Sequence, residues 1–455
     1  MPIGAFARWL TPTRALVGGF AGVIVVGAVL LALPWAARGP RLPWIDALFT
    51  STSAVCVTGL TTIDVGSRLS TPGQWLLLLL IQVGGLGITT FSTVFLLVVG
   101  RRVSLRNRLV LQDAFAVMRR GDVARYAAAI LLCTIAIEVV GTAVLYASLP
   151  PAGPGRLFNA AFHAISAFCN AGFSLYRQGF MAPGIGAGAL LIVAALIILG
   201  GIGFPVLTEV IAWLRRGRHR PPSLHTKTVL AVTAMLLAAG TAGILVVEWG
   251  NPSPAVLGGR PFPERVLHAF FASVTARTAG YHSIDFGQVT HATLLLTMIL
   301  MFVGGSPGSC AGGVKTVTAA VLYAMVRWRF RGEEWVRLFN RKLPEEAVSR
   351  AVVVTMSATV VLLGGYLVLV VLEGGMAPYR EGSMNFVELL FEAISAFGTV
   401  GLTTGITPSL SSGGKLVIIL LMFLGRVGPL ALALAVGVEK GPKPFVYAEE
   451  NVLVG

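Results

Sequence analysis

Apolar residues run through this chain in stretches longer than a soluble helix needs. Ala15 to Leu33 and Gln74 to Gly100 contain no charged side chain. About 20 such residues cross the hydrocarbon core as a helix, and lipid admits only helices and closed barrels because nothing there satisfies free backbone groups. The runs are continuous, without the alternation of a barrel strand. The pattern predicts an all-α polytopic membrane protein with eight spans, near 14–36, 74–100, 124–149, 186–214, 226–249, 290–327, 348–373 and 415–438.

Between paired spans lie four amphipathic segments too short to cross: LFTSTSA, FNAAFHAISA, LHAFFASV and LLFEAISA. Each runs into a related motif. SAVCVTGL at 53–60, SAFCNAGF at 166–173, VTARTAGY at 274–281 and SAFGTVGL at 395–402 align without gaps on Gly59, Gly172, Gly280 and Gly401. A second landmark follows at nearly constant distance: Gly84, Gly200, Gly304 and Gly425 stand 25, 28, 24 and 24 residues beyond the respective glycines. The chain therefore reads as four tandem repeats, 1–110, 111–220, 221–345 and 346–455, each a span, a re-entrant half-helix, an extended loop and a glycine-interrupted span.

Composition changes this picture only in its orientation. The 55% hydrophobic and 12% charged content excludes a soluble surface, which carries about 25% charge. The net charge of +15 sits in alternate connections, with seven basic residues between Arg101 and Arg125, five between Arg215 and Lys227 and seven between Arg327 and Arg350. That asymmetry is the positive-inside pattern. It places both termini on the cytoplasmic side of the plasma (inner) membrane and accounts for the basicity without nucleic acid. The first apolar segment is long enough to remain as a span, so no cleaved leader is expected. Cys56, Cys133, Cys169 and Cys310 are widely separated and read as packing residues, not metal ligands.

Extended backbone at membrane depth is tolerated only against protein or a water-filled cavity. Four such loops around one axis can present rings of carbonyl oxygens in place of an ion's hydration shell. The candidate ion-binding residues are Val57, Thr58, Gly59 and Leu60; Asn170, Ala171, Gly172 and Phe173; Thr278, Ala279, Gly280 and Tyr281; and Thr399, Val400, Gly401 and Leu402. None is acidic, so main-chain oxygens are the expected ligands, suited to a dehydrated monovalent cation. The plain alternative is that the glycines only allow close helix packing. Arg277 is expected to point behind the loops toward Glu392. Asp64 and Asp285, each five residues after a glycine, serve either to concentrate cations at the outer mouth or to cap local turns.

The third inner span contains Gly304, Gly305, Ser306, Pro307, Gly308, Ser309, Cys310, Ala311, Gly312 and Gly313, a run that cannot sustain an ordinary helix. A loop inside the membrane is expected there, with Lys315 and Ser306 as polar handles. Gly308 to Thr316 approaches a phosphate-loop motif, but Val314 separates Gly313 from Lys315 and the strand–loop–helix context is missing. Gly184 to Ala189 matches a dinucleotide fingerprint with no preceding strand, so no nucleotide is expected on this chain.

Thr399-Val400-Gly401-Leu402 is similar to the potassium-channel filter. The order of span, pore loop and span, repeated four times, resembles the Ktr/Trk/HKT superfamily of potassium transporters, with SVTARTAGYHSIDF and GGSPGSCAGGVKT as its most specific phrases. Within it the chain is most similar to the KtrB branch, the membrane subunits of bacterial Ktr systems. The resemblance implies potassium as the transported ion, since members with serine at the first filter glycine tend to carry sodium and Gly59 is present. It implies that the intramembrane loop and Arg426 form a gate. It further implies a homodimer and a separate cytosolic nucleotide-binding ring of RCK type, similar to KtrA, for which the basic stretches 101–125 and 327–350 offer docking faces. Anionic lipid explains those stretches equally well. Sodium stimulation stays open. The competing readings are a sodium-selective or poorly selective translocator of the same superfamily and an integral-membrane enzyme; the six scattered histidines and the lack of an HExxH motif give the enzyme no support.

Overall fold

A computed structural model describes residues 12–86, 123–150, 155–215, 221–374 and 386–428. Its elements are α1 (Pro12–Ala32), α2 (Trp44–Val55), α3 (Thr71–Gly85), α4 (Val123–Ser148), α5 (Arg156–Phe168), α6 (Ala187–Ile202), α7 (Phe204–Arg215), α8 (Leu224–Val247), α9 (Phe262–Thr275), α10 (His291–Phe302), α11 (Thr316–Arg331), the hairpin strands β1 (Arg337–Leu338) and β2 (Arg341–Lys342), α12 (Glu345–Gly374), α13 (Phe386–Gly398) and α14 (Ser412–Val427).

Among the described residues, Ala127–Ser148, Leu224–Val247 and Glu345–Gly374 are long and apolar enough to cross a membrane, and α6 and α7 pass the same test only when taken together across their bend. Their outward faces carry Leu132, Val246 and Val360, each at least 70% exposed. Such surfaces are stable against lipid and not against water; this is a helical membrane protein. The expected spans 74–100 and 415–438 are seen to residues 86 and 428, and their remainders lie outside the described residues, as do 101–122 of the first basic connection.

The four short helices α2, α5, α9 and α13 have 12, 13, 14 and 13 residues, about 18–21 Å at 1.5 Å per residue, short of a hydrocarbon core of about 30 Å. Each is mostly buried, because long helices wrap it on two sides. α1 and α3 pack on α2, α4 and α6 on α5, α8 on α9, and α12 and α14 on α13. A second set of contacts runs around the molecule: α3 packs on α5, α6 on α9, α10 on α13, and α14 back on α2. Ser70, Thr290 and Ser411 cap α3, α10 and α14, accepting from Gly73 N, Thr293 N and Gly414 N at 3.0–3.3 Å. Each cap satisfies an otherwise free N–H at its helix start.

The second landmark glycines have a physical reason. A Cβ on Gly84, Gly200 or Gly425 would meet the carbonyl oxygen of Val55, Phe168 or Phe397, at or next to the end of the neighbouring short helix. Only glycine lets the two backbones touch there. The second inner segment departs from the expected single span 186–214. It breaks at Gly203 (φ +99) into α6 and α7, bent by 103°. Pro205 has no N–H to donate to Gly201 O and starts a helix more readily than it continues one, so Gly203-Phe204-Pro205 carries a signal that hydropathy alone conceals.

Candidate functional site

Each short helix ends in a loop with one backbone pattern. Val57, Asn170, Thr278 and Thr399 have φ of +56°, +59°, +65° and +51°, and Gly59, Gly172, Gly280 and Gly401 have φ of +98°, +71°, +75° and +90°. The residue between them does not share the positive φ. Alternating hand along a strand turns successive carbonyls to one side, whereas a uniform strand alternates them. Four non-glycine residues held in the left-handed region mark a strained, over-determined site.

The amides face the other way and are consumed. Thr58 N, Ala171 N and Val400 N donate to Ser53 O, Ser166 O and Ser395 O at 2.7–2.8 Å, and Ala279 N donates to Thr275 O at 3.0 Å. Hydroxyls complete the turn: Gly59 N donates to Ser53 Oγ at 3.0 Å, Gly401 N to Ser395 Oγ at 3.1 Å and Tyr281 N to Thr275 Oγ1 at 2.7 Å, while Ser166 Oγ donates to Phe173 O at 2.9 Å. Sequence reasoning left these hydroxyls out. Their signal was present, since serine opens three of the four aligned motifs.

The loops close on one another in chain order. A Cβ on Gly59 would lie 2.7 Å from Ala171 O, one on Gly172 2.6 Å from Ala279 O, one on Gly280 2.6 Å from Val400 O, and one on Gly401 would meet Thr58 O. The structure thus brings the four predicted loops together as a cycle, each glycine against a carbonyl of the next loop. Among the described residues no protein donor reaches the carbonyls of Thr58, Ala171, Ala279 or Val400. The hydroxyls of Thr58, Thr278 and Thr399 are also buried without a partner. Buried oxygen acceptors with nothing to accept from fit a cation.

The run from Gly304 to Gly313 is a loop between α10 and α11, as its composition predicts. Val303 bridges Val314, Gly304 N donates to Val314 O at 2.9 Å, Thr316 N to Gly305 O at 3.0 Å, and Ser306 Oγ meets Thr316 Oγ1 at 3.0 Å. The tip is held by the break between α6 and α7. Ser306 N donates to Gly201 O at 3.0 Å, Cys310 N to Gly200 O at 3.2 Å, and Phe204 N to Gly308 O at 3.0 Å. A helix that stops inside a membrane leaves carbonyls that must find donors; the loop supplies them. The loop also abuts the cycle, since a Cβ on Gly312 would meet Thr399 Oγ1.

Two cations hold this loop. Lys315 Nζ donates to Ala311 O at 2.7 Å. Arg426, on α14 and 6% exposed, donates to Cys310 O and Gly84 O. The guanidinium thus ties the loop to the ends of α3 and α14. Arg277 does point behind the loops, but not to Glu392. Its Nη2 donates to Thr233 on α8 at 3.4 Å, while Glu392 accepts from Thr407 Oγ1. Arg277 follows α9, which packs on α8. Asp64 accepts from Gly66 N and Ser67 Oγ, and Asp285 from Gly287 N and Gln288 Nε2, so both cap turns. Above the cycle, Thr403 N donates to His282 Nε2 at 3.3 Å, linking the third and fourth loops.

Comparison with known proteins follows this geometry. A profile of the TrkH family, described as a cation transport protein, matches residues 20–443. The chain is 39% identical over 454 residues to the potassium/sodium uptake protein NtpJ of Enterococcus hirae, covering 98% of both chains. It is 38% identical to the Ktr system potassium uptake protein B of Bacillus subtilis, covering 93% of each. The crystal structure of the potassium transporter TrkH from Vibrio parahaemolyticus superposes with a TM-score of 0.72 at 18% identity, over 92% of this chain and 83% of that one, a likeness of fold.

Proposed function

Since the chain belongs to the TrkH family of cation transport proteins, we propose that it is the ion-conducting subunit of a potassium uptake system and not an enzyme. Four repeats, 1–110, 111–220, 221–345 and 346–455, surround one pore with eight spans and four re-entrant half-helices. The observation that carries this reading is the cycle of glycine-to-carbonyl contacts, with unshared carbonyls at Thr58, Ala171, Ala279 and Val400. In it, potassium sheds water and takes carbonyl oxygens, a replacement that needs no ionised side chain. The short helices point their carboxyl ends, the negative ends of their dipoles, at the same place. The cation then moves down its electrochemical gradient.

The gate is the loop 304–313 with Lys315 and Arg426. It lies against Thr399, so an ion leaving the cycle meets it next. Releasing the Arg426 contacts to Cys310 O and Gly84 O frees the loop to move. The family reading adds a homodimer with cytoplasmic termini in the cell membrane and an RCK-type cytosolic ring similar to KtrA, which binds the nucleotide that this chain does not. Sodium competence is the second reading, favoured by the relative named as a potassium/sodium uptake protein.

The test is growth of a potassium-uptake-deficient bacterium at limiting K⁺, with the native partner supplied, comparing the wild type and Gly59→Ser. Rescue by the wild type, with a shifted Na⁺/K⁺ preference in the variant, is the expected result. Failure of the wild type to rescue overturns the assignment, and rescue that Na⁺ competes away selects the second reading.

A further inference from the structure

One more position of the half-helices is in register. Nine residues before the loop glycines stand Thr50, His163, Phe271 and Glu392, all fully buried. Beyond the glycines the chain has little to hold it. Among the described residues, 173–175 and 402–404 make no backbone-to-backbone hydrogen bond, although they continue directly from the carbonyl cycle. Extended backbone at membrane depth without a ladder must be held by side chains or left loose.

In the second and fourth loops the buried polar residue supplies the hold, and at the same place. His163 Nδ1 lies 2.9 Å from Asn159 O and so carries the ring proton, which leaves Nε2 as an acceptor. That nitrogen meets Ser174 Oγ at 3.0 Å and accepts from Leu175 N at 3.4 Å. Glu392 accepts from Thr407 Oγ1, which in turn lies 3.1 Å from Thr403 Oγ1. Ser174 and Thr403 both stand two residues beyond their glycine. Each hydroxyl accepts from the amide two residues further on, Tyr176 N at 3.0 Å and Gly405 N at 2.9 Å. The third loop, with Phe271 at this position, is held otherwise, since His282 O accepts from Phe180 N at 2.9 Å. The first has Thr50, whose hydroxyl meets no protein partner among the described residues.

We propose that His163 and Glu392 are positioning residues that set the ion preference of the pore by fixing the outer ends of two opposite loops through Ser174 and Thr403. The inference rests on the reading of the cycle as an ion path. Loops two and four face each other in a cycle that runs in chain order, so the pair braces one diameter of the ring. Carbonyls kept at a fixed separation favour one ionic radius. With the brace removed, the two loops relax inward on the smaller Na⁺ and K⁺ loses its advantage. Both side chains act through a hydroxyl on the loop and not on the ion, so Glu392 works as a hydrogen-bond acceptor and not through its charge.

The experiment is ⁸⁶Rb⁺ uptake into proteoliposomes by the full chain, with K⁺ and Na⁺ as competitors and the melting temperature measured on the same folded material. Ser174→Ala and Thr403→Val should each lower the preference for K⁺ over Na⁺ about fivefold, the worth of one hydrogen bond, and Glu392→Leu should match Thr403→Val. Glu392→Gln keeps an acceptor for Thr407 and should show the wild-type ratio. Thr50→Val, at the same repeat position with no contact to lose, should leave the ratio unchanged. A purely structural role predicts variants that melt earlier yet discriminate as the wild type does, and that result overturns the proposal. So does Glu392→Gln behaving as Glu392→Leu, or Thr50→Val shifting the ratio as Thr403→Val does. A wild type with no preference for K⁺ overturns the ion-path reading and this inference with it, whereas a selective wild type with unaffected variants overturns this inference alone.

Discussion

Gly280→Ala puts the carbonyl cycle under direct strain. The added Cβ falls 2.6 Å from Val400 O and 3.0 Å from Gly401 Cα. That oxygen must retreat by about 0.8 Å to reach ordinary contact at 3.4 Å, and it belongs to the neighbouring loop, not to a flexible side-chain tip. Position 280 also has φ +75°, where a Cβ costs about 1–2 kcal/mol. The strain in folding is modest, but the functional loss is not. A carbonyl oxygen that coordinates a full charge contributes about 1.5–3 kcal/mol, as a hydrogen bond to a charged group does, and one turned out of the ring costs about 10- to 100-fold in K⁺ affinity or permeation. Gly186→Ala is the control, since nothing lies within 4 Å of its added Cβ. The assay is ⁸⁶Rb⁺ uptake into proteoliposomes with K⁺ and Na⁺ as competitors, on protein that elutes as folded material. Gly280→Ala should lose most uptake and much of its preference for K⁺ over Na⁺, and Gly186→Ala neither. Wild-type flux and competition in a folded Gly280→Ala protein would refute the ring.

Four further perturbations probe other parts. Arg426→Ala removes two charge-assisted hydrogen bonds to Cys310 O and Gly84 O, each about 1.5–3 kcal/mol, and should raise partner-free Rb⁺ flux about tenfold or more; shortening 306–313 should do the same, and unchanged flux in both removes the gate. Lys415 Nζ meets Asp46 Oδ1 at 3.0 Å with both side chains about 13–14% exposed, so Asp46→Asn and Lys415→Gln should each cost about 1–3 kcal/mol in a detergent unfolding assay, with a double-mutant cycle showing coupling. Ser395→Ala deprives Gly401 N of its acceptor at 3.1 Å and should lower K⁺/Na⁺ discrimination by about fivefold, the equivalent of one hydrogen bond, without changing protein yield. Asp64→Ala with Asp285→Ala should lower stability by about 1 kcal/mol per lost cap while the salt dependence of K⁺ affinity stays as in the wild type; a change confined to low ionic strength would restore these acids to the role of cation funnel.

What the sequence discloses here is local geometry, and what it conceals is partnership across space. The loops are legible because a left-handed residue, a glycine and a short amphipathic helix leave marks at fixed spacing, and four copies in register make each mark count. The loop after Phe302 is legible for the same reason: five glycines and a proline within ten residues oppose helix wherever they lie. Arg277 is expected to reach Glu392 because a charge at bilayer depth needs a partner, but need does not supply direction. The α9 helix packs on α8, which offers the Thr233 hydroxyl at 3.4 Å, and Glu392 is met by Thr407 within its own repeat. The break at Gly203 belongs to the same class. Hydropathy passes through it unchanged, and its purpose appears only when the Gly200 and Gly201 carbonyls accept from Cys310 and Ser306 about a hundred residues on. That contact carries a mechanical consequence. A loop anchored by the broken end of α6, by Lys315 within its own helix start and by Arg426 from α14 is held by three elements at once. Displacing α14 alone removes one anchor and leaves the Gly200 and Gly201 bonds intact, so in the proposed gate the loop swings from α6 and does not dissolve, and it recloses on the same hinge.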